Sequence, residues 1–531
     1  MSTGAANAPP GTVRLVLQPE ESTTGVSTFM LSPSPSSDPN EPLNWSIWRK
    51  CLNYGLTIAV TVAAFTNLSI QTVFWQQMTV DLGVTVTQLT HAQSAQLAGL
   101  AMGCIFFIPL TIKYGRRSTY VVSTAALVAI SWWTSSISSY TELILTSILT
   151  GLAGAINETS VQMTIADLFF VHQRGSANAI YFTAVMVGSF LTPLAAGSQA
   201  AEQGWRWSYY ALSIAMTALF VTFLFLFEET KFVPVSIGQT SVSISLAVTD
   251  PSLEDEKEDL KADVYATTTT TMTRTGSTIP INTWRQRLRF TTPTPESLPQ
   301  LFVIPLHVIT LPHVFFTALQ FASGVCWLVL YMSVVSIVFA QPPYNFTTAG
   351  IGYMTLGPFV GNIFGSIYGG PFSDWVIVRL ARRNGGIFEP EMRLYPLVVP
   401  TVVMAGGIIM FGVTADKGMH WIYPSIGGAL FAFGLGANGD ITFTLIVDTY
   451  RELTAEAFIG VAFLRNAVSV AVPFALVPWM KTMGLTNMYI LSGCIAFVIG
   501  LLFVPMIIWG KRIRAALAPR YWKLVERRSR I

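Results

Sequence analysis

The chain has 531 residues, of which 52% are hydrophobic and 11% charged, against about 25% charged residues in an ordinary soluble domain. A spanning helix takes about 20 apolar residues, so this composition supplies about a dozen spans and excludes a soluble enzyme with a small anchor. The formal net charge is +3, its placement carries more than its size, and nucleic acid is not an expected partner.

Residues 1–50 are polar and rich in Ser, Pro and Thr, without the basic-then-apolar pattern of a secretory signal. They read as an N-terminal tail, and the first span is expected to direct insertion itself. Apolar windows follow at about 51–74, 91–111, 119–137, 142–168, 176–199 and 206–228. Residues 229–308 then hold an acidic cluster (Glu254, Asp255, Glu256, Glu258, Asp259), the threonine run 267–271 and a basic patch at Arg285, Arg287 and Arg289. Nothing there can form a core, so the segment reads as a largely disordered linker with a short surface helix near Trp284. Six more windows lie at about 314–340, 349–372, 394–414, 421–449, 457–480 and 488–510, and residues 511–531 form a basic tail. The expected fold is an all-α membrane protein: twelve transmembrane helices in two pseudo-symmetric six-helix bundles, residues 51–228 and 309–510.

Lys and Arg resist translocation and concentrate on the cytoplasmic side. With both termini inside, 27 of the 31 basic residues fall there, Arg206, Lys417 and Lys481 fall outside, and Arg465 lies within a span. The halves also echo each other. Gly99, Gly103 and Pro109 in the second span are spaced as Gly361, Gly365 and Pro371 in the eighth, and Arg117 falls at the offset of Arg379. Gly154, Ala155 and Glu158 in the fourth are spaced as Gly436, Ala437 and Asp440 in the tenth, as an internally repeated transporter predicts.

Glu158 and Asp440 fall midway along their spans, where an ionisable side chain costs at least ~2.5 kcal/mol unless it faces a polar interior. Each is a candidate to bind a cationic substrate, to carry a coupling proton, or to do both in competition. The alternative is a structural ion pair, for which Arg465 lies at the depth to neutralise Asp440. Polar and aromatic residues in the same layer are candidates to shape a pocket: Asn67, Gln71, Asn157, Gln162, Gln320, Trp327, Tyr331 and Asn438. Such aromatic rings more often pack between helices than touch a ligand.

Gly357, Gly361, Gly365 and Gly369 lay a smooth stripe along the eighth span, which reads first as close helix packing. The loop Lys113-Tyr114-Gly115-Arg116-Arg117 either pairs with acids of neighbouring helices to lock one face or simply fixes topology. Asn345-Phe346-Thr347 is an N-glycosylation acceptor in a predicted outer loop. The chain has no G-x-x-x-x-G-K-[ST] phosphate loop, its five histidines form no metal box, with His307 and His313 expected to be solvated at a loop end, and its four cysteines read as small core residues. No cofactor or metal is expected.

These features resemble the major facilitator superfamily, and within it the fungal drug:proton antiporter-like branch with twelve spans. The likeness extends over about residues 38–528. It is carried by Asp38-Pro-Asn-Glu-Pro-Leu-Asn-Trp-Ser46, Tyr114-Gly-Arg-Arg117, Ala166-Asp-Leu-Phe-Phe-Val-His-Gln-Arg-Gly175, Gly204-Trp-Arg-Trp207, Glu229-Thr-Lys-Phe232, Asp448-Thr-Tyr450 and Arg465-Asn466. It is most similar to the subgroup of polyamine and organic-cation carriers, which also includes secondary-metabolite transporters. The resemblance implies rocker-switch alternating access driven by protons, a cavity between the halves, and gating residues Gly115, Arg116, Arg117, Asp167, Arg174, Asp374, Asp448 and Arg465. Two departures stand out. Ile112 occupies the place of a loop-motif Asp, which the second half keeps at Asp374. In the fifth span Gly188, Pro193 and Gly197 fit the antiporter motif while Thr192 and Ala196 replace two of its glycines.

The expected function is proton-coupled export of a small organic molecule, a drug or secondary metabolite, across the plasma membrane, by a non-enzyme that works as a monomer among membrane lipids. The alternative is import of polyamines or other organic cations. A non-transporting receptor has only the long linker in its favour, and a membrane enzyme has no identifiable site.

Overall fold

The computed structural model describes residues 10–14, 38–232, 282–293 and 298–529; the acidic cluster and threonine run lie outside them. Helix occupies every predicted window. The first half contains Ile47–Ser69 prolonged to Leu82, Val86–Tyr114, Arg116–Ser135, Tyr140–Gly154 with Ile156–Leu168, Val171–Met186 with Thr192–Gln203, and Trp205–Leu226. The second contains Pro312–Val338, Thr348–Tyr353 with Leu356–Ile367, Val398–Asp416, Ile422–Thr449, Thr454–Ser469 running into Ala471–Gly500, and Phe503–Ser529. Capping boxes start two of them, Thr85 with Gln88 and Ser139 with Glu142, each satisfying amides that a helix N-terminus leaves open.

Among the described residues, eight helical segments are long and apolar enough to cross a membrane, the longest holding the last two windows with a bend at Gly484 (φ +75°). Three windows are not among them. The third opens on two arginines and is rich in Ser and Thr. The fourth breaks at Ala155, and the eighth breaks after Tyr353 and again in the π-turn Tyr368–Phe372 around Pro371.

The sequence echo is realised as packing. Gly99 and Gly103 press the second span onto the backbone of the fourth at Ile148 and Leu152. Gly357, Gly361, Gly365 and Gly369 press the eighth onto the tenth at Ser425, Ala429, Phe433 and Ala437. A Cβ at Gly365 would collide with the Phe433 carbonyl oxygen. Both are backbone-bearing helices with no room to give, so Gly365→Leu is expected to reduce the yield of monodisperse protein severely on size-exclusion chromatography. A yield equal to that of the parent would contradict this packing role.

The first described segment and the last helix meet on one face, the terminal face, where Arg514 donates to the Pro10 carbonyl at 2.6 Å. On the opposite face the halves close on each other. Ser336 donates to the Thr72 carbonyl (2.5 Å), Ser333 to Gln93 Oε1 (2.7 Å) and Thr355 to the Phe190 carbonyl (2.7 Å). A Cβ at Gly197 would lie 2.8 Å from the Thr348 carbonyl oxygen, so the end of the fifth span meets the start of the eighth almost backbone to backbone.

Three segments differ from expectation. Leu298–Val308, assigned to the linker, is a helix with Leu301, Ile304 and Val308 buried, because its apolar stripe finds the second bundle. Within the former tail, Val13–Arg14 pairs antiparallel with Ile387–Phe388. The basic C-terminal tail continues the last helix to Ser529, its Ala518, Tyr521 and Leu524 face buried. Trp284–Arg287 is the short helix predicted near Trp284.

Candidate functional site

A cavity of about 230 Å³ lies between the halves. Its walls come from both: Gln93, Gln96, Glu158, Gln162, Phe182 and Phe190 are among the lining residues on one side, Phe321, Met332, Asn362, Ser366, Asp440 and Arg465 on the other. Both echoed acids reach it, as their matched placement in repeated helices requires.

Glu158 forms an ion pair with Arg465, its side chain only 5% exposed. Asn466 completes the arrangement: its Nδ2 donates to Glu158 Oε2 at 2.9 Å, while its Oδ1 accepts from Arg465 Nε (3.0 Å) and from a second guanidinium nitrogen (2.8 Å). The Arg465 guanidinium also lies 5.1 Å from the Phe321 ring centroid. Acid and base come from different halves, so this triad joins the two bundles at the cavity between them. Arg465 therefore neutralises Glu158; the expected alternative pairing with Asp440 is not formed. Asp440 and Ser366 line the cavity together, and Asp440 makes no ion pair among the described residues.

Of the other candidates, Gln162 lines the cavity. The rest point into their own bundles. Asn67 donates to Ser131 Oγ (2.6 Å) and Gln71 to Ser147 Oγ (3.4 Å). Gln320 donates to the Ile499 carbonyl (2.7 Å) and accepts from Asn438 (3.1 Å). Trp327 donates to Ser323 Oγ, and Tyr331 to the Met354 carbonyl; both line a void of about 10 Å³ with Phe411, Phe431 and Tyr489, too small for an organic molecule. Asn157 is fully buried, with neither side-chain polar atom hydrogen-bonded among the described residues. These six residues beside Asn157 satisfy polar groups or fill space inside a helix bundle, which a membrane interior demands of any polar side chain not facing water.

Asn466, Ser366, Asn362, Gln93 and Gln96 were not among the candidates. Asn362 with Ser366, and less regularly Gln93 with Gln96, recur at helical spacing on one face of an apolar span, a signal available in sequence.

On the terminal face the loop after the second span is anchored by acids. Arg116 Nε donates to Asp167 Oδ2 at 2.9 Å, and Arg117 donates to the carbonyls of Phe227, Leu288 and Leu224. Glu229 accepts the Arg116 and Arg117 backbone amides at 2.9 and 3.2 Å, capping the third span. Gly115, at φ +108°, leaves the space this carboxylate fills. Glu229 thus supplies an acid at the loop where Ile112 lacks one. Burial pushes its carboxyl above the usual range, opposed by those amides and by Arg116. In the second half Arg393 joins Asp374 (2.9 Å) to Asp448. Gly188 abuts the first span at Val62, and the Pro193 carbonyl lies 3.1 Å from where a Cβ at Gly352 would stand. The Arg174 side chain lies outside the described residues.

His313 is not solvated. It is fully buried, with Nε2 3.5 Å from Glu391 Oε1, and Glu391 is held by Arg514 at 3.1 and 2.8 Å.

Two helical bundles enclosing a cavity lined by two acids and an arginine are the architecture of a membrane carrier. Residues 56–473 match the Major Facilitator Superfamily, and the chain belongs to that family. It is 30% identical to an uncharacterized MFS-type transporter of Schizosaccharomyces pombe, over 95% of this chain and 91% of that one. It is 26% identical to a multidrug transporter of Candida glabrata, over 90% of this chain and 77% of that one. A peptide transporter crystallised with sulfate shares the fold, with a TM-score of 0.55 at 14% identity, covering 90% of this chain and 95% of that one.

Proposed function

We propose that the chain is a proton-coupled carrier that exports a small organic molecule across the plasma membrane by alternating access, with both termini cytoplasmic. The observation that carries this reading is the Glu158–Arg465–Asn466 triad, which joins the two halves inside the cavity. A proton on Glu158 removes the charge that holds Arg465, and loss of that tie frees the halves to rock. The multidrug name of a relative supports a hydrophobic organic substrate. The orientation rests on the excess of Lys and Arg on the terminal face. It places Asn345, exposed in the loop of the opposite face, where a glycan can be added.

The test uses cells lacking their own drug exporters, challenged with toxic hydrophobic compounds. Expression should raise resistance, and Glu158→Gln or an uncoupler should return it to the background. A second reading, import of organic cations, is favoured by Asp440, an acid in the cavity with no cationic partner among the described residues. Spermidine accumulation without added resistance would replace the first reading by the second. Neither response would remove both.

A further inference from the structure

The three charged groups of the cavity are not equivalent. Glu158 is engaged by Arg465, by the Asn466 amide and by the Cys104 thiol. Asp440 makes no ion pair among the described residues, and Ser366 lines the same cavity. With two carboxylates and one guanidinium, the described wall carries a formal charge of −1, and the excess sits at Asp440.

The surroundings of Asp440 are apolar and aromatic. Phe443, three residues on along the same helix, shares its face and lines the same cavity. Its ring contacts Phe321 edge-on at 4.6 Å, Phe458 at 5.1 Å and Phe182 at 5.7 Å, so four rings from four spans form a wall beside the acid. Gly436 and Gly439, flanking Asp440 on its own helix, also line the cavity without adding side-chain bulk. An acid in such a place is stabilised best by a cation that brings its own apolar body, since the rings exclude the water that would otherwise solvate it.

Resting on the carrier reading above, we propose that Asp440 and Ser366 form the binding subsite for a single protonated amine of an otherwise apolar substrate. The Phe182–Phe321–Phe443–Phe458 wall takes the substrate's body. One cationic group is specified because the second acid is already neutralised; a polycation would have to displace Arg465, which is covalently part of the wall. The two acids thereby divide the work: Asp440 holds substrate charge, and Glu158 belongs to the tie between the halves.

The test is equilibrium binding to the purified full-length protein in detergent at neutral pH, without any proton gradient, so it is independent of transport. The probes are 2-phenylethylamine, its neutral counterpart 2-phenylethanol, and spermidine. The wild type should bind the amine at least ~10-fold more tightly than the alcohol, and no more weakly than spermidine. Asp440→Asn should erase the preference for the amine while leaving alcohol binding unchanged, which also reports that the cavity persists. Glu158→Gln should retain the preference. Asp440→Ser serves as the neutral variant where the amide does not fold. Equal binding of amine and alcohol by the wild type, including binding of neither, overturns the proposal, as does a preference that survives loss of the Asp440 charge or a tighter hold on spermidine. The carrier reading fails separately, by absence of drug resistance and of spermidine accumulation in cells.

Discussion

Arg465→Gln is expected to abolish transport and to lower stability, and the double variant Glu158→Gln/Arg465→Gln to recover the stability without the transport. The single change leaves Glu158, its side chain 5% exposed, facing the Asn466 amide and the Cys104 thiol 3.9 Å away, with no cation beside it among the described residues. An uncompensated buried charge of this kind costs about 3–5 kcal/mol, whereas removing both partners is often close to neutral. Neutral amides at both positions can still hydrogen-bond to Asn466, so the double variant keeps the shape of the site. It lacks a group that a proton can switch, and drug resistance in cells should therefore stay at the background level. Thermal unfolding of the purified variants gives the stability arm. The proposed role fails if Arg465→Gln transports as well as the parent, or if the double variant regains resistance that an uncoupler still abolishes.

The positions of the spans were legible because a stretch of about 20 apolar residues is a local property. So was the depth of Glu158 and Asp440, since an acid in such a stretch has few places to go. Which side of the seventh span faces the cavity was not legible. Pro312–Val338 is apolar all round and mostly buried all round, so nothing local marked Gln320, Trp327 and Tyr331 as facing the bundle interior rather than the cavity. The partner of Arg465 was equally hidden, because Glu158 and Asp440 sit at matched depths and only the packing of the halves decides between them. Likewise Glu229 takes up the acid's part at the loop motif from 117 positions beyond Ile112, a substitution that exists only once the sixth span returns to the terminal face.

The cluster around Arg514 gives the second large effect, and it too was invisible in sequence, where Arg514 read as one more basic residue of a tail. In the structure it is fully buried, bidentate to Glu391, and donates to the Pro10 carbonyl (2.6 Å) and Thr12 Oγ1 (2.9 Å). His313 and Tyr450 close over the pair, their rings edge-on at 5.9 Å. The guanidinium thereby satisfies four acceptors from two distant stretches of chain, a fork geometry that Lys cannot copy. Gly11, at φ +88°, presses against the Asp448 and Thr449 backbone with no space for a Cβ, so the docked segment has one seating. Arg514→Met should strand Glu391 as a buried anion and cost about 3–5 kcal/mol, seen as early loss of the monodisperse peak on heating. Arg514→Lys should fall between the two, since it keeps the charge and loses the second carboxylate contact. In Arg514→Met/Glu391→Leu most of the loss should return, because the stranded charge is gone and what remains unpaired is neutral: the Pro10 and Thr12 acceptors and the His313 ring. A single Arg514→Met variant as heat-stable as the parent would show that the cluster contributes nothing to holding the terminal face together.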